Sequence, residues 1–459
     1  MIRAVLPSKS GLASWRIMNK SYLPARHCRE YIRMIEYVYD LSSREKCPVE
    51  NSKKVLPRAR RRLAEIESEL RPLLPDEVRG HWRRAFRGPP DVRAVGDRIY
   101  GMFQGDNGLL SLRASWMGRI ETEVIEMALS LLHAPEEATG NFTSGGSESI
   151  YCALHAMREW ARQTMPHISE PEVVAPYSAH PSFSKGCHYF GLKLRRVPLA
   201  EDRRASPDAL TQAISANTIG LVASAPCWPY GCYDPIPEIA ELARERGLWM
   251  HVDACVGGYL APFVEELGVT LPAWDFRLAG VTSISADLHK YGYCPKPAST
   301  ILWRSPSVQQ YHWVHPSDWP GGSYSMTGFA GTRTAGPIFA AWAVLQYLGR
   351  DGYLELARHI LAMKARLLAG IDSIQGLHAW KNDLMPVVFE ANDLDLTKIK
   401  AELTRLGWAV VGCADPPLIN IPLDAGTTEK IVDTFLSDLS QIVRDVRLGT
   451  IGGSEALQY

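Results

Sequence analysis

The 459-residue sequence has the composition of an ordinary globular protein, with 46% hydrophobic and 22% charged residues. Lys and Arg number 50 together, as do Asp and Glu, so the net charge gives no reason to expect nucleic acid or an acidic membrane as a partner. No run of about eighteen apolar residues occurs, which argues against a membrane span. The first thirty residues have no continuous apolar core, which argues against a secretory signal.

Nine cysteines without regular pairing predict reduced thiols in a cytoplasmic protein. Zinc bound by Cys187, Cys227 and Cys232 is a weak alternative because their spacing matches no metal-binding pattern, so we expect no metal site. An excess of arginine within residues 58–87 is interpreted as a solvated helix face rather than a binding patch.

Residues 1–100 predict an N-terminal arm with helices. Apolar residues at helical spacing from Leu63 to Leu74 indicate one helix between residues 57 and 86. Pro72 and Pro75 are expected to end or kink this helix near its last turn.

Residues 101–345 predict a large α/β domain, in which short apolar strands alternate with helices. The predicted strands are 173–175, 221–224, 248–252, 283–286 and 299–303. A helix over residues 236–246 ends at Gly247, a typical C-terminal cap. This alternation predicts a mainly parallel sheet that is covered on both faces.

Residues 346–459 predict a small C-terminal α+β domain, which follows a long helix over about 339–374. The predicted order is strand 384–389, helix 396–406, strands 408–412 and 418–421, and helix 427–446. We expect an open antiparallel sheet with helices on one side.

A turn rich in glycine and hydroxyl side chains spans residues 143–149 and opens a helix. Gly145, Gly146 and Ser147 would offer backbone N–H groups at the positive end of the helix dipole, which suits a phosphate. The alternative is a serine N-cap after a glycine turn.

Two polar residues follow predicted strands at the sheet edge where such folds bind ligands. Asp253 ends the run 248–252, and a protonated pyridine nitrogen would supply the partner that its carboxylate needs. A helix N-cap or a buried salt bridge is the alternative. His180 follows strand 173–175 and could stack on a pyridine ring, or be a hydrogen-bonded loop histidine.

Lys290 lies just beyond strand 283–286 and is flanked by His289 and Tyr291. Desolvation there would lower the pKa of its amine and free it to form a Schiff base with an aldehyde. An ordinary surface lysine is the alternative for any single lysine. The order of phosphate turn, acidic strand end and His-Lys pair favours the catalytic interpretation.

Together these blocks resemble the group II decarboxylases, which depend on pyridoxal 5′-phosphate (PLP), and in particular the sphingosine-1-phosphate lyases. The blocks are residues 143–149, 177–180, 251–258, 280–296, 318–324 and 331–333. The resemblance covers about residues 100–350, and more faintly the C-terminus. It implies PLP fold type I, the aspartate-aminotransferase-like α/β fold, with a large parallel-sheet domain and a small C-terminal α+β domain.

The resemblance also implies roles for individual residues. Those expected to hold the PLP phosphate within one subunit are Gly145, Gly146, Ser147 and His289. Gly331 and Thr332 would reach that phosphate from the other subunit, which implies a homodimer with shared active sites.

The catalytic residues implied in the same way are His180, Asp253, Lys290 and Lys296. His180 would stack on the cofactor ring, and Asp253 would keep the pyridine nitrogen protonated. Lys290 would form the Schiff base, and Lys296 would lie near the substrate end of the site.

Three positions depart from the lyase pattern. A phenylalanine, Phe86, stands where the lyases have a tyrosine that works in carbon–carbon cleavage. After Asn107, a leucine, Leu110, replaces a histidine that helps to bind the substrate phosphate. Pro297 replaces a glycine, which removes a backbone N–H donor. Other residues that could serve a substrate carboxylate or head group are Arg113, Trp228, Tyr230 and Lys296.

The sequence leaves three hypotheses for the reaction on a small-molecule amine. The first is Cα–Cβ cleavage of a β-hydroxy amine or amino acid. The second is α-decarboxylation of an amino acid, and the third is a catalytically silent homologue. The resemblance favours the lyase, whereas Phe86 and Leu110 argue against a phosphorylated long-chain substrate.

Overall fold

The computed structural model describes residues 62–70, 86–109 and 115–457. Helix α1 (Leu63–Leu70) belongs to a unit that ends at Asp76, and the other described residues belong to a second unit, Glu77–Tyr459. The helix predicted between residues 57 and 86 is confirmed over α1, and its remaining residues lie outside the described ranges. No residue of α1 is buried.

Helices and strands alternate through most of the second unit. Its helices are α2 (Pro90–Phe103), α3 (Ser115–Leu131), α4 (Gly146–Thr164), α5 (Ser182–Phe190), α6 (Pro207–Ala213), α7 (Ile236–Glu245), α8 (Ala261–Glu266), α9 (Pro306–Gln309), α10 (Gly336–Asp372), α11 (Leu396–Arg405) and α12 (Glu429–Arg447). Its strands are β1 (Thr139–Thr143), β2 (Glu172–Pro176), β3 (Lys193–Val197), β4 (Thr218–Ser224), β5 (Trp249–Asp253), β6 (Ser283–Ala286), β7 (Ser299–Trp303), β8 (Leu377–Trp380), β9 (Val387–Ala391), β10 (Val411–Ala414) and β11 (Pro417–Ile421).

Seven strands form a large sheet in the order β1-β7-β6-β5-β4-β2-β3. Strand β7 is antiparallel to β1 and β6, and the other neighbouring pairs are parallel. Asp253 pairs in register with Ser224 on one side and Ser285 on the other, so β4, β5 and β6 end at nearly the same level. The predicted α/β class with a mainly parallel sheet is confirmed.

Successive side chains of each strand point to opposite faces of the large sheet, and helices cover both faces. On one face, Val173, Val222 and Trp303 pack with apolar residues of α4 and α5. On the other face, Leu221 and Ile284 pack with apolar residues of α3, α7 and α10. The sheet therefore separates two apolar layers, and its ends remain available for polar chemistry.

The second sheet is antiparallel, with the order β10-β11-β9-β8. Helices α11 and α12 bury apolar faces against this part of the chain, and Trp408 packs edge-on against Phe435 at 5.0 Å between ring centroids. Predicted strands 384–389 and 408–412 lie two to three residues later, at β9 and β10. The division into residues 1–100, 101–345 and 346–459 remains a prediction.

The long helix predicted over 339–374 is α10, but it is interrupted at Gly349, whose φ of 53° and ψ of −174° are not helical. None of the described helices is long and apolar enough to cross a membrane. Within the described ranges, we find no group of three or more His, Cys, Asp or Glu side chains that could hold a metal ion. The seven cysteines in those ranges are free thiols.

Candidate active site

A cavity of about 400 Å³ lies at the edge where the parallel strands end. The turns after β1, β2, β4, β5 and β6 all contribute to its wall, as expected for a ligand site in a parallel sheet. The structure brings together most of the predicted cofactor residues here, namely Gly145, Gly146, Ser147, His180, Asp253, His289 and Lys290.

The turn before α4 fits a phosphate group. Gly145 is the N-cap of α4, and no side chain caps the helix there, so its first N–H groups remain available to an anion. A Cβ atom at Gly146 would lie 2.7 Å from Sγ of Cys255 and 3.0 Å from both carboxylate oxygens of Asp287. Only a glycine therefore lets the turn approach β5 and β6 so closely.

His180 is held by the residue two positions after it. The backbone N–H of Ser182 donates to Nδ1 of His180 at 3.2 Å, which assigns the ring proton to Nε2. The Ser182 hydroxyl lies 2.9 Å from Nδ1 and 2.7 Å from Oγ of Ser147. Burial lowers the pKa of His180, and Lys290 adds to that effect while Asp253 opposes it. A neutral ring at the cavity wall results.

The turn that carries His180 is fixed by Arg196, on strand β3. Its Nη1 donates to the carbonyl oxygens of Pro176, Tyr177 and Ala179 at 3.3, 3.0 and 2.8 Å. Its Nη2 donates to the hydroxyl of Ser184 at 3.2 Å. A single guanidinium therefore orders the segment between β2 and α5.

Asp253 is only 8% exposed and offers a carboxylate to the cavity. Its Oδ1 accepts from the backbone N–H of Cys255 at 3.1 Å and from the hydroxyl of Ser285 at 3.4 Å. These two hydrogen bonds orient the carboxylate and leave Oδ2 available to a protonated ring nitrogen, which suits the predicted role.

Lys290 is paired with a second buried carboxylate. Its Nζ lies 2.9 Å from Oδ2 of Asp287. Burial by itself lowers the pKa of Lys290, but Asp287, Cys255 and Asp253 outweigh it and raise the pKa above its ordinary value. Desolvation thus acts in the predicted direction, but the prediction that the pKa of Lys290 is lowered overall is wrong, because the neighbouring carboxylates raise it.

His289 lies beside the phosphate turn. Its Nδ1 accepts from the backbone N–H of Ala298 at 3.2 Å, and its Nε2 lies 3.6 Å from Oδ2 of Asp287. A Cβ atom at Gly145 would lie 3.3 Å from the His289 ring. Burial lowers the pKa of His289, so the ring offers a neutral Nε2–H donor next to the turn.

An aromatic wall, defined as Phe86, Trp228 and Tyr291, adjoins the cavity. The Phe86 ring packs edge-on against Tyr291 at 5.1 Å and against Trp228 at 5.9 Å. Phe86 and Trp228 line the cavity itself. Nε1 of Trp228 is buried and has no hydrogen-bond acceptor among the described residues.

The segment after β11 is tied to this wall. The Tyr291 hydroxyl donates to the carbonyl oxygen of Leu423 at 2.7 Å. The backbone N–H of Arg87 donates to Oδ2 of Asp424 at 2.9 Å. Arg87 and Tyr291, which follow Phe86 and Lys290 in the chain, are thus hydrogen-bonded to the segment that follows β11 of the four-stranded sheet.

Some predicted substrate residues lie elsewhere. Tyr230 is buried beneath the four-stranded sheet, where its hydroxyl donates to the carbonyl oxygen of Asp415 at 3.1 Å. It does not line the cavity, and its role as a substrate residue stays a prediction. Asn107 uses Oδ1 to accept from the backbone N–H of Leu109 at 3.0 Å. Leu110 and Arg113 lie outside the described residues.

Three further predicted residues lie near the cavity without lining it. Lys296 is close enough to Lys290 and His289 for their charges to interact, and burial together with Lys290 lowers the pKa of Lys296. Gly331 and Thr332 are exposed, and Gly331 lines a neighbouring cavity that shares Ser144 with the first.

Asp287, Ser182 and Arg196 are the residues of this site that sequence reasoning missed. Asp287 stands within the block 283–290, three residues before Lys290, and that spacing was the available signal. Ser182 and Arg196 act through hydrogen bonds across the fold, for which the sequence offers no pattern.

A family model described as the pyridoxal-dependent decarboxylase conserved domain matches residues 105–391. The chain belongs to this family. Within the family, it is 36% identical to the sphingosine-1-phosphate lyase of Oryza sativa subsp. japonica over 374 residues, which are 80% of this chain and 69% of the relative. The sphingosine-1-phosphate lyase 1 of Mus musculus is 34% identical over 412 residues, 87% of this chain and 72% of that protein.

Solved structures agree with this assignment. The sphingosine-1-phosphate lyase of Burkholderia pseudomallei matches with a TM-score of 0.82 and 32% identity, and the match covers 88% of this chain and 95% of that one. Glutamate decarboxylase of Lactobacillus brevis, at 22% identity and a TM-score of 0.75, shares the fold. This member of the pyridoxal-dependent decarboxylase family is therefore a PLP-dependent lyase similar to sphingosine-1-phosphate lyase.

Proposed function

We propose that this lyase cleaves the Cα–Cβ bond of a β-hydroxy amine or β-hydroxy amino acid, which gives an aldehyde and a smaller amine. One observation carries the proposal. The lysine, the strand-end carboxylate and the histidine expected of such a lyase, Lys290, Asp253 and His180, line one cavity beside a phosphate-binding turn. The similarity to curated sphingosine-1-phosphate lyases supports the same reaction type.

In this proposal, each residue has a defined task. Bound PLP supplies an electron sink for the breaking bond. Asp253 would keep a proton on the pyridine nitrogen, and the neutral His180 ring would stack on the cofactor. The N–H groups at Gly146 and Ser147, with Nε2–H of His289, bind the phosphate. Lys290 would hold the cofactor covalently through its amino group.

The aromatic wall bears on the substrate. A phenylalanine at position 86 can neither donate nor accept a proton, so the hydroxyl group of the substrate must be served by another residue. Phe86 and Trp228 together favour a substrate with an apolar substituent on that side of the cavity. Nε1 of Trp228 would donate to an oxygen of that substrate, which satisfies a donor that is otherwise buried without an acceptor.

A second candidate function is α-decarboxylation of an amino acid. Phe86 favours it, because loss of carbon dioxide needs no base to remove a proton from a β-hydroxyl group. A catalytically silent homologue is the least supported hypothesis, because Lys290, Asp253 and His180 are all retained.

A substrate panel with the PLP-loaded protein separates these functions. The panel contains sphingosine phosphate, phosphoethanolamine, β-phenylserine, threonine and simple aromatic amino acids. Aldehyde release from a β-hydroxy substrate supports the proposal, and carbon dioxide release from amino acids supports the alternative. Loss of the aldehyde signal in Lys290→Ala shows that the signal belongs to this site.

We also propose that the active form is a homodimer. The segment 313–332 exposes large apolar side chains, among them Trp319 at 59% and Phe329 at 49%, and it ends at Gly331 and Thr332. Large exposed apolar groups of this kind are typical of an interface. Packing of this segment against a second copy would bring Gly331 and Thr332 to the phosphate turn of that copy.

Subunit mixing tests the shared site. Lys290→Ala and Gly331→Val homodimers are each expected to be inactive. Hybrid dimers contain one site with both residues intact, so mixing is expected to restore about a quarter of the activity. If light scattering gives a monomer that is fully active, the dimer proposal fails.

The buried free thiols support a reducing compartment, and we propose the cytoplasm. Thiol counting on protein purified without added reductant tests this assignment.

A further inference from the structure

Asp287 lines the cavity beside Lys290, and the sequence predicted no role for it. It is 2% exposed and follows β6 directly. Its Oδ1 accepts from the hydroxyl of Ser299 at 2.5 Å. Its Oδ2 lies 2.9 Å from Nζ of Lys290 and 3.6 Å from Nε2 of His289.

Burial of this carboxylate would be unfavourable without partners, because a lone ion in a protein interior loses its hydration. Burial alone raises the pKa of Asp287, but the charge of Lys290 and the hydrogen bonds from Ser299 and Lys290 outweigh it and hold the pKa below its ordinary value. Asp287 is therefore anionic at neutral pH, and Lys290 carries its counter-charge.

Packing fixes the position of this pair. A Cβ atom at Gly146 would lie 3.0 Å from each carboxylate oxygen of Asp287, so the phosphate turn lies close to the carboxylate. The hydrogen bond from Ser299 fixes the other side. The Asp287 carboxylate thus fixes the position of the Lys290 amino group, between β6 and the phosphate turn.

We propose that Asp287 is a positioning residue that holds the Lys290 amine as an ammonium ion at the cofactor aldehyde's entry point and sets the pH at which that amine is released. The proposal rests on the PLP dependence of the family and not on which substrate bond is broken. The charged and titratable groups that act on Lys290 or share its cavity are Asp287, Asp253, Cys255, Glu148, His180, His289 and Lys296.

The sign of the effect follows from the chemistry of the amine. Only neutral Nζ can attack the aldehyde carbon, so one proton must leave before the C=N bond forms and one water is released. The negative charge of Asp287 stabilises the ammonium form. Replacement of Asp287 by a neutral isostere therefore lets the proton leave at lower pH.

The test is the rate of PLP capture by protein stripped of cofactor, followed by visible absorbance against pH. The substitution Asp287→Asn is expected to shift the pH midpoint of that rate downward by about 1–3 units, the range typical for loss of one close opposite charge. Ser299→Ala is the matched control, because it removes a hydrogen bond from the same carboxylate but keeps the charge. Its midpoint is expected to stay within about one unit of the wild-type value.

A midpoint that Asp287→Asn leaves unchanged, in a protein with wild-type circular dichroism, overturns the proposal and indicates a purely structural carboxylate. If Asp287→Asn does not fold, the wild-type profile decides, since its capture rate must still rise above pH 9. A wild-type plateau below that pH would contradict the proposal. None of these measurements depends on lyase activity. The proposal for Asp287 can therefore be refuted while the proposed reaction remains supported.

Discussion

The backbone at Gly146 approaches Cys255 so closely that a Cβ atom there would lie 2.7 Å from the cysteine sulfur. Cys255 is buried, and its backbone N–H donates to Asp253 at the end of β5, so a Cβ atom at Gly146 would press on that end of the strand. The close contact couples the phosphate turn to the carboxylate that would bind the other end of PLP. A structural change in the phosphate turn is therefore expected to displace the Asp253 carboxylate, and the reverse.

Gly146→Ala is expected to weaken PLP binding by roughly 5- to 150-fold, because overpacking a rigid site costs about 1–3 kcal/mol. The measurement is a PLP titration followed by absorbance. Gly101→Ala is the matched control, since a Cβ atom there has nothing within 4 Å and should leave binding unchanged. Equal PLP affinity in the two variants would contradict the phosphate-binding role proposed for the turn before α4.

Lys290→Ala is expected to abolish turnover and to remove the visible absorbance band of the PLP-loaded protein. The reason is that the only proposed covalent link between the chain and the cofactor is lost. Lys296→Ala should keep the band, because Lys296 lies outside the cavity lining. If Lys290→Ala retained both colour and activity, the assignment of this site would be wrong.

Phe86→Tyr is expected to increase Cα–Cβ cleavage of β-hydroxy substrates by at least about tenfold, a fraction of the roughly 10²–10⁴-fold that general acid–base catalysis contributes. The new hydroxyl would lie in a cavity that Phe86 already lines. The backbone at position 86 has a positive φ of 48°, and the substitution does not require it to change. Aldehyde release is measured, with decarboxylation by the same protein as the internal control. A parallel rise in both activities would point to a change in packing rather than in proton transfer.

His312 provides a test of pH-dependent stability. It is 4% exposed, and burial, with a smaller contribution from His155, lowers its pKa from 6.5 to about 4. The unfolded chain then binds the proton more tightly, so folding free energy is lost as the pH falls from above 6.5 towards about 4. Between pH 7.5 and 5 the loss from this group should be about 2 kcal/mol.

The substitution His312→Phe keeps an aromatic ring against Trp303 and removes that loss. Urea unfolding at the two pH values measures the difference. Burial also lowers the pKa of His251 to about 4. Because His251 is present in both proteins, its contribution to the pH dependence of stability cancels in the comparison. An identical pH dependence in wild type and variant would refute the assignment to His312.

The sequence predicted the inner strands well and the outer strands poorly, for a physical reason. Strands β6 and β7 are buried along their whole length, and their apolar runs were identified with the correct bounds. Strand β3 lies at the sheet edge and carries Lys193, Arg195 and Arg196, so it has no apolar signature. Its strand conformation comes from pairing with β2, which is a tertiary effect.

The site shows the same limit. Lys290 and Asp253 could be identified because each follows an apolar strand. The charge state of Lys290 could not, because it depends on the balance between burial and the carboxylates of Asp287 and Asp253. Arg196 also escaped detection, since its function is defined by three backbone carbonyls that no side-chain pattern encodes.

The two hydrogen bonds that tie Tyr291 to Leu423 and Arg87 to Asp424 join distant parts of the chain at the rim of the cavity. Tyr291 follows the reactive lysine, and Arg87 follows the phenylalanine of the aromatic wall. Any tilt of the four-stranded sheet relative to the large sheet would pull on both positions together. The aromatic wall and the segment that carries the lysine are thus linked to each other through the short connection after β11.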